Sequence, residues 1–196
     1  MRKFLDGPIS DDFISNQVYN FLIKKLGWKI QEPPHENKTY VYIAYPHTSN
    51  WDTILGVLFG KIWNKSFFIL VKEYYDKPIL KDLMMFFRML PIERSSEGAK
   101  KAQEYYQKLK ASIVLVPEGT RKKASGWKKG FHWFAKTNDL EIVLIHLNYA
   151  EKVFGWDAVI KPGDTPDETL QLCKEIYEKI NPIGKYPELA SPIKWV

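Results

Sequence analysis

Ser112-Ile113-Val114-Leu115-Val116-Pro117-Glu118-Gly119-Thr120-Arg121 is an unbroken apolar run that stops at a proline and opens into a charged, glycine-containing turn. A short apolar run bounded by turn residues reads as a strand covered on both faces, the kind found in parallel sheets. The same grammar recurs on either side of it. Tyr40–Tyr45 runs into Pro46-His47-Thr48-Ser49-Asn50-Trp51-Asp52, and Phe67–Val71 and Glu141–Leu147 are further apolar runs. Between them lie stretches with helical spacing: Trp51–Trp63, Ile79–Arg88, Glu97–Lys110, Phe131–Thr137 and Pro166–Ile180. Strands alternating with helices predict an α/β domain built on a mixed, largely parallel sheet flanked by helices. In such sheets chemistry gathers beyond the carboxyl ends of the strands, and here two of those ends carry reactive side chains.

The 196 residues fit one domain, since Pro33–Pro34 within Gln31–Lys38 is too short a break to separate two. Residues 1–30 are expected to form an amphipathic N-terminal helix over Ser10–Leu26 with Ile14, Val18, Phe21, Leu22 and Leu26 on one face. That face either packs on the domain or lies on a membrane surface. Residues 31–196 form the main domain. No apolar run has the 18 or so residues of a membrane span, and Asp6, Asp11 and Asp12 argue against a signal peptide. The one cysteine, Cys173, rules out an internal disulfide and is expected to be a packed thiol in a reducing, cytoplasmic setting.

Charge is unevenly placed. Residues 61–136 hold 17 basic and seven acidic side chains, net +10, whereas 137–196 hold six and ten, net −4. The basic middle points to an anionic partner or to solvated lysine-rich faces. No zinc ligand set and no RNA-binding aromatic signature accompanies it, so nucleic acid is not expected. The aromatic and methionine cluster Leu83–Leu90 fits core packing, an acyl-chain groove or a membrane-facing patch. His132 and His146 lie in apolar surroundings and read as structural histidines.

At the first reactive strand end, His47 and Asp52 are five residues apart across a strand-to-helix turn. A carboxylate on one imidazole nitrogen fixes the tautomer and leaves the other nitrogen as a general base. The alternative is Asp52 as a helix cap and His47 as an ordinary turn residue. At the second, Gly119 permits close backbone approach and Arg121 offers a planar fork for phosphate or carboxylate, against the alternative of a structural Glu–Arg turn. Arg94 follows a third short apolar run, Leu90–Ile92.

Together, H-x-x-x-x-D at His47 and Asp52, an arginine at Arg94, and E-G-T-R at Glu118, Gly119, Thr120 and Arg121 resemble the glycerolipid acyltransferase family, over roughly residues 40–150. Gly126–Phe131 matches the segment that follows the third block. The chain departs from the family at Glu141–His146, which lacks the proline of the fourth block, and at Pro91 and Glu93 around Arg94.

The resemblance implies an acyltransferase of the 1-acylglycerol-3-phosphate type, active in phospholipid biosynthesis. His47, oriented by Asp52, would take the proton of a lysophospholipid hydroxyl as it attacks an acyl thioester, with acyl-CoA or acyl-carrier protein as co-substrate. No covalent enzyme intermediate, metal or further cofactor is implied. Arg94 and Arg121 would hold the acceptor phosphate, with Glu118, Gly119 and Thr120 shaping the turn, at the inner face of a membrane that the protein meets peripherally. Two rivals remain at this point: an acyl-thioester hydrolase using the same pair, and a non-catalytic domain binding anionic membranes. The absence of G-x-S-x-G argues against a covalent esterase.

Overall fold

A computed structural model describes residues 21, 23–34, 38–63, 67–72, 88–93 and 95–196. The strands are β1 (Lys29–Ile30), β2 (Tyr40–Ala44), β3 (Phe67–Lys72), β4 (Met89–Ile92), β5 (Ser112–Leu115), β6 (Glu141–Asn148) and β7 (Val153–Ile160). The described helices are α1 (Asn50–Ile62), α2 (Ser96–Leu109), α3 (Gly130–Thr137) and α4 (Pro166–Ile180). The strands make one seven-stranded sheet in the order β1-β7-β6-β2-β5-β3-β4. Every neighbouring pair is parallel except β6 with β7. The expected α/β architecture with a mixed, largely parallel sheet is therefore present.

Alternate residues of β2 explain why its sequence reads as a continuous apolar run. Tyr40 and Tyr42 enter a core with Leu55, Phe59 and Trp63 of the α1 region, while Val41 and Ile43 enter a second core with Phe131, Cys173 and Tyr177. One layer of helix covers one face, and α2, α3 and α4 cover the other. Both faces are covered by packed side chains, which is why β2 does not alternate between apolar and charged residues.

The expected Ser10–Leu26 helix lies largely outside the described residues, which give only its closing turn and a Gly27 at positive φ that ends it. Residues 79–87 of the expected Ile79–Arg88 helix, with most of the Leu83–Leu90 cluster, also lie outside them. Three strands were not foreseen. β1 has two residues, β4 carries Pro91 on a sheet edge where its missing N–H is tolerated, and β7 is interrupted by Gly155 and Asp157.

The central strand β2 is flanked by β6 and β5, with Ala44 opposite Ile145 and Ile43 opposite Leu115. Three parallel strands thus end side by side, and the turns that leave them are brought together.

Candidate active site

The turn after β2 is built by its own side chains. Ser49 is the N-cap of α1 and forms a capping box with Asp52, whose carboxylate reaches back to the first residues of the turn. Asp52 Oδ2 accepts from the Thr48 and Ser49 amides, both at 2.8 Å, and lies 3.1 Å from His47 Nδ1. The two sequence alternatives for Asp52 are one structure: the cap also fixes the imidazole. Its other oxygen, Oδ1, accepts the Tyr149 hydroxyl at 2.6 Å. Burial acts to raise the Asp52 pKa. The hydrogen bonds from His47 and Tyr149, the attraction of His47 and the Ser49 amide outweigh that and hold it below the ordinary carboxylate value.

With Nδ1 facing Asp52, the tautomer assigned from that partner carries its proton there and leaves Nε2 as acceptor. His47 keeps 15% of its side-chain surface exposed, against 6% for Asp52. An apolar cavity of about 60 Å³ begins at these two residues. It runs between α1 and the sheet past Gly56, Tyr42, Val114, Trp63 and Phe154. A Cβ placed on Gly56 would meet nothing within 4 Å, so the helix is open toward that space. A larger cleft of about 510 Å³, lined by Tyr45, Glu178 and Pro192 among others, is more polar and includes neither His47 nor Asp52.

The turn after β5 lies against the first turn from behind. Glu118 is buried, with Oε2 accepting the His47 amide at 2.6 Å and Oε1 accepting the Ser191 amide at 2.9 Å. Burial raises its pKa above the usual carboxylate value, against the opposing effect of those bonds. Gly119 has φ 64°, a left-handed conformation in which a side chain is strained, and its N–H donates to Val116 O at 3.0 Å. Thr120 Oγ1 accepts the Lys122 amide. Arg121 is exposed and donates from Nη1 to Asn50 Oδ1, at the start of α1. The structure therefore brings His47, Asp52, Glu118, Gly119, Thr120 and Arg121 into one locality, with Glu118 facing backbone amides. Arg94 lies outside the described residues.

Two features of this locality escaped the sequence reading. One is Tyr149, immediately after β6 and 97 residues from Asp52. The other is a strap over residues 182–196. The Ile183 carbonyl accepts from Tyr149, the Tyr186 amide donates to Thr48 Oγ1 and Tyr45 donates its hydroxyl to the Ser191 carbonyl. The Lys194 carbonyl and Val196 amide pair with Trp127. No local pattern could have announced these long-range bonds.

Of the other described histidines, His132 lies outside this cavity, whereas His146 also lines it. His132 is buried with Nδ1 2.8 Å from Thr169 Oγ1. Burial first, and then Lys136, lower its pKa. His146 Nδ1 is 2.7 Å from Asp157 Oδ2 across the β6–β7 pair. Cys173 is fully buried, and burial pushes its thiol up to about 12. Among the described residues no group of three or more His, Cys, Asp or Glu is placed to hold a metal ion. Nor is any described helix long and apolar enough to cross a membrane.

Residues 27–145, well over half of the chain, match the acyltransferase family model. The chain belongs to the acyltransferase family. No curated protein matches the acyltransferase by sequence. Among solved structures it is similar to the 1-acyl-sn-glycerophosphate (LPA) acyltransferase PlsC from Thermotoga maritima. The two share 13% sequence identity and a TM-score of 0.59, over 86% of this chain and 78% of PlsC. At that identity the likeness is one of fold. The match places the β2 and β5 turns inside the family region, and leaves Tyr149 and the strap beyond its end.

Proposed function

We propose that this acyltransferase moves a fatty acyl group from an acyl thioester, acyl-CoA or acyl-carrier protein, to the hydroxyl of a lysophospholipid such as lysophosphatidic acid. The observation that carries this reading is the His47–Asp52 pair at one end of an apolar cavity. A base for a hydroxyl thus stands beside a largely apolar space with room for a few methylene groups next to the reacting end of an acyl chain, which would gain dispersion contacts there.

In the proposed step the acceptor O–H gives its proton to His47 Nε2 while its oxygen attacks the thioester carbonyl carbon. The tetrahedral intermediate collapses with cleavage of the C–S bond, and the departing thiolate takes the proton back from Nε2. Asp52 stabilises the imidazolium between the two transfers. Arg121 and Arg94 hold the acceptor phosphate through charge-assisted hydrogen bonds, and Glu118, Gly119 and Thr120 set the turn that presents Arg121. The basic residues of 61–136 draw the protein to the anionic inner face of the membrane, where its acceptor resides.

The test is transfer from labelled acyl-CoA and acyl-carrier protein to a panel of lysophospholipids, read by product mass. A diacyl product that requires the lysophospholipid supports the reading. Thioester loss at the same rate without acceptor would make the protein a hydrolase, and vesicle binding with no thioester loss would make it a membrane-binding domain.

A further inference from the structure

We infer that Tyr149 is a positioning residue for the His47–Asp52 base, an inference that rests on His47 being that base. A carboxylate offers two oxygens and about four acceptor directions. On Asp52 the inner oxygen, Oδ2, serves His47 and the two turn amides, and Tyr149 fills the outer one, Oδ1, at 2.6 Å. The inner bonds fix where the carboxylate sits. The outer bond fixes its tilt about Cβ–Cγ, and so the direction from which Oδ2 meets the imidazole. Without it, a buried acceptor would be left unpaired.

Tyr149 is itself held rigidly. It follows β6 directly, and the parallel register of β2 with β6 sets Ala44 opposite Ile145, which brings the end of β6 beside the His47 turn. Its amide donates to the Ile183 carbonyl at 2.8 Å, and its ring meets the Trp28 ring edge-on with centroids 5.1 Å apart. Burial first, and then Asp52, raise the phenol pKa far above any working pH. The hydroxyl is thus a permanent donor and never a competing base.

This bond also has an electrostatic consequence. A donor on Oδ1 draws negative charge away from Oδ2 and tempers the pull of Asp52 on the imidazolium. Removing the donor leaves the imidazolium more strongly favoured, so the pair titrates at higher pH. The other titratable groups facing the pair are Glu118, whose carboxylate takes the His47 amide, Tyr186 beside Tyr149, and His146, Tyr42 and Tyr45, which line the same cavity. All are retained on substitution at 149.

The experiment compares the full-length protein with Tyr149→Phe. Steady-state transfer should show kcat reduced roughly tenfold with little change in KM for the thioester. The acidic limb of the pH–rate profile and the NMR titration of the His47 ring should both move upward by about half a pH unit or more. A second substitution, 3-fluorotyrosine at position 149, keeps the ring and strengthens donation, so it should move the titration downward even if the phenylalanine variant folds poorly. An unmoved titration in either variant overturns the proposal, whatever happens to kcat, because a purely structural tyrosine would alter stability alone. Failure of the base assignment is separable, since wild-type activity that survives His47→Ala would sink that assignment without reference to Tyr149.

Discussion

Among the described residues the molecule holds two His–Asp pairs, and the shorter is not the one proposed as the base. His146 and Asp157 are 2.7 Å apart, against 3.1 Å for His47 and Asp52. What separates them is position in the sheet. His146–Asp157 bridges the antiparallel β6–β7 pair where the register shifts, and both side chains are almost fully enclosed, 5% and 7% exposed. His47–Asp52 lies beyond the end of a central parallel strand and on a helix cap; His146 lines the same cavity, so it is the strand end and the cap that set the first pair apart. The first arrangement ties two strands together. The second leaves a ring nitrogen within reach of another molecule. The proposed base is therefore set apart from the strand-tying pair by access and orientation, not by closeness.

The largest expected effect breaks the pairs apart. His47→Ala should fold and lose roughly a hundredfold to ten-thousandfold in transfer, the usual worth of a general base. His146→Ala should do the reverse. It leaves the Asp157 carboxylate enclosed without its partner, at about 3 kcal/mol, or roughly 6–12 °C in Tm for a chain of this size. Its transfer rate, measured well below that Tm, should stay within about threefold of wild type. Parallel thermal melts and initial rates on the two variants would settle the comparison. Equal losses of activity would erase the distinction.

Asp52→Asn comes next, because it tests both duties of one carboxylate. An amide can turn its N–H toward the imidazole and favour the wrong tautomer, so activity should fall by about 10²-fold or more. The capping box also weakens, at roughly 1 kcal/mol. The pH dependence has a definite sign. Asp52 has its folded pKa depressed, so its contribution to stability is present above the unfolded carboxylate value and is lost as pH falls through the folded one. Denaturant titrations of wild type between pH 5 and about 2 should show that loss, and Asp52→Asn should show less of it.

The smallest effect concerns the cavity beside the first pair, which His146 also lines. Gly56 faces the open cavity from within α1, and a Cβ there meets nothing within 4 Å, so Gly56→Leu would extend a side chain into that space. Long-chain acyl donors should lose about tenfold in kcat/KM while the shortest are little changed. Gly56→Ala should stabilise the helix by roughly 0.5–1 kcal/mol. A chain-length series read by product mass checks the first claim, and the melts check the second.

These contrasts also explain what was legible in the sequence. β2 and β5 could be read because two covered faces force every residue to be apolar, and the His47–Asp52 spacing could be read because the cap that creates it is local. β7 was not legible because Gly155 and Asp157 interrupt its pattern, and β1 because two residues carry no period. Tyr149 and the His146–Asp157 pair were out of reach for a different reason. Their partners are fixed by strand register and by the β6–β7 irregularity, neither of which leaves a mark in neighbouring residues. Arg94, read from its spacing, lies outside the described residues.

The strap over residues 182–196 carries one more consequence, which concerns the order of events. It supplies Ser191 to Glu118, Ile183 to Tyr149, Tyr186 to Thr48 and Lys194 to Trp127, and it follows every strand and every described helix. On a ribosome the residues of both reactive turns emerge well before the backbone that pins them. Until the strap arrives, Glu118 is a carboxylate destined for burial that lacks one of its two amide donors. The nascent domain would therefore hold its sheet before it holds its chemistry, and the reactive end would be completed by the segment translated after α4.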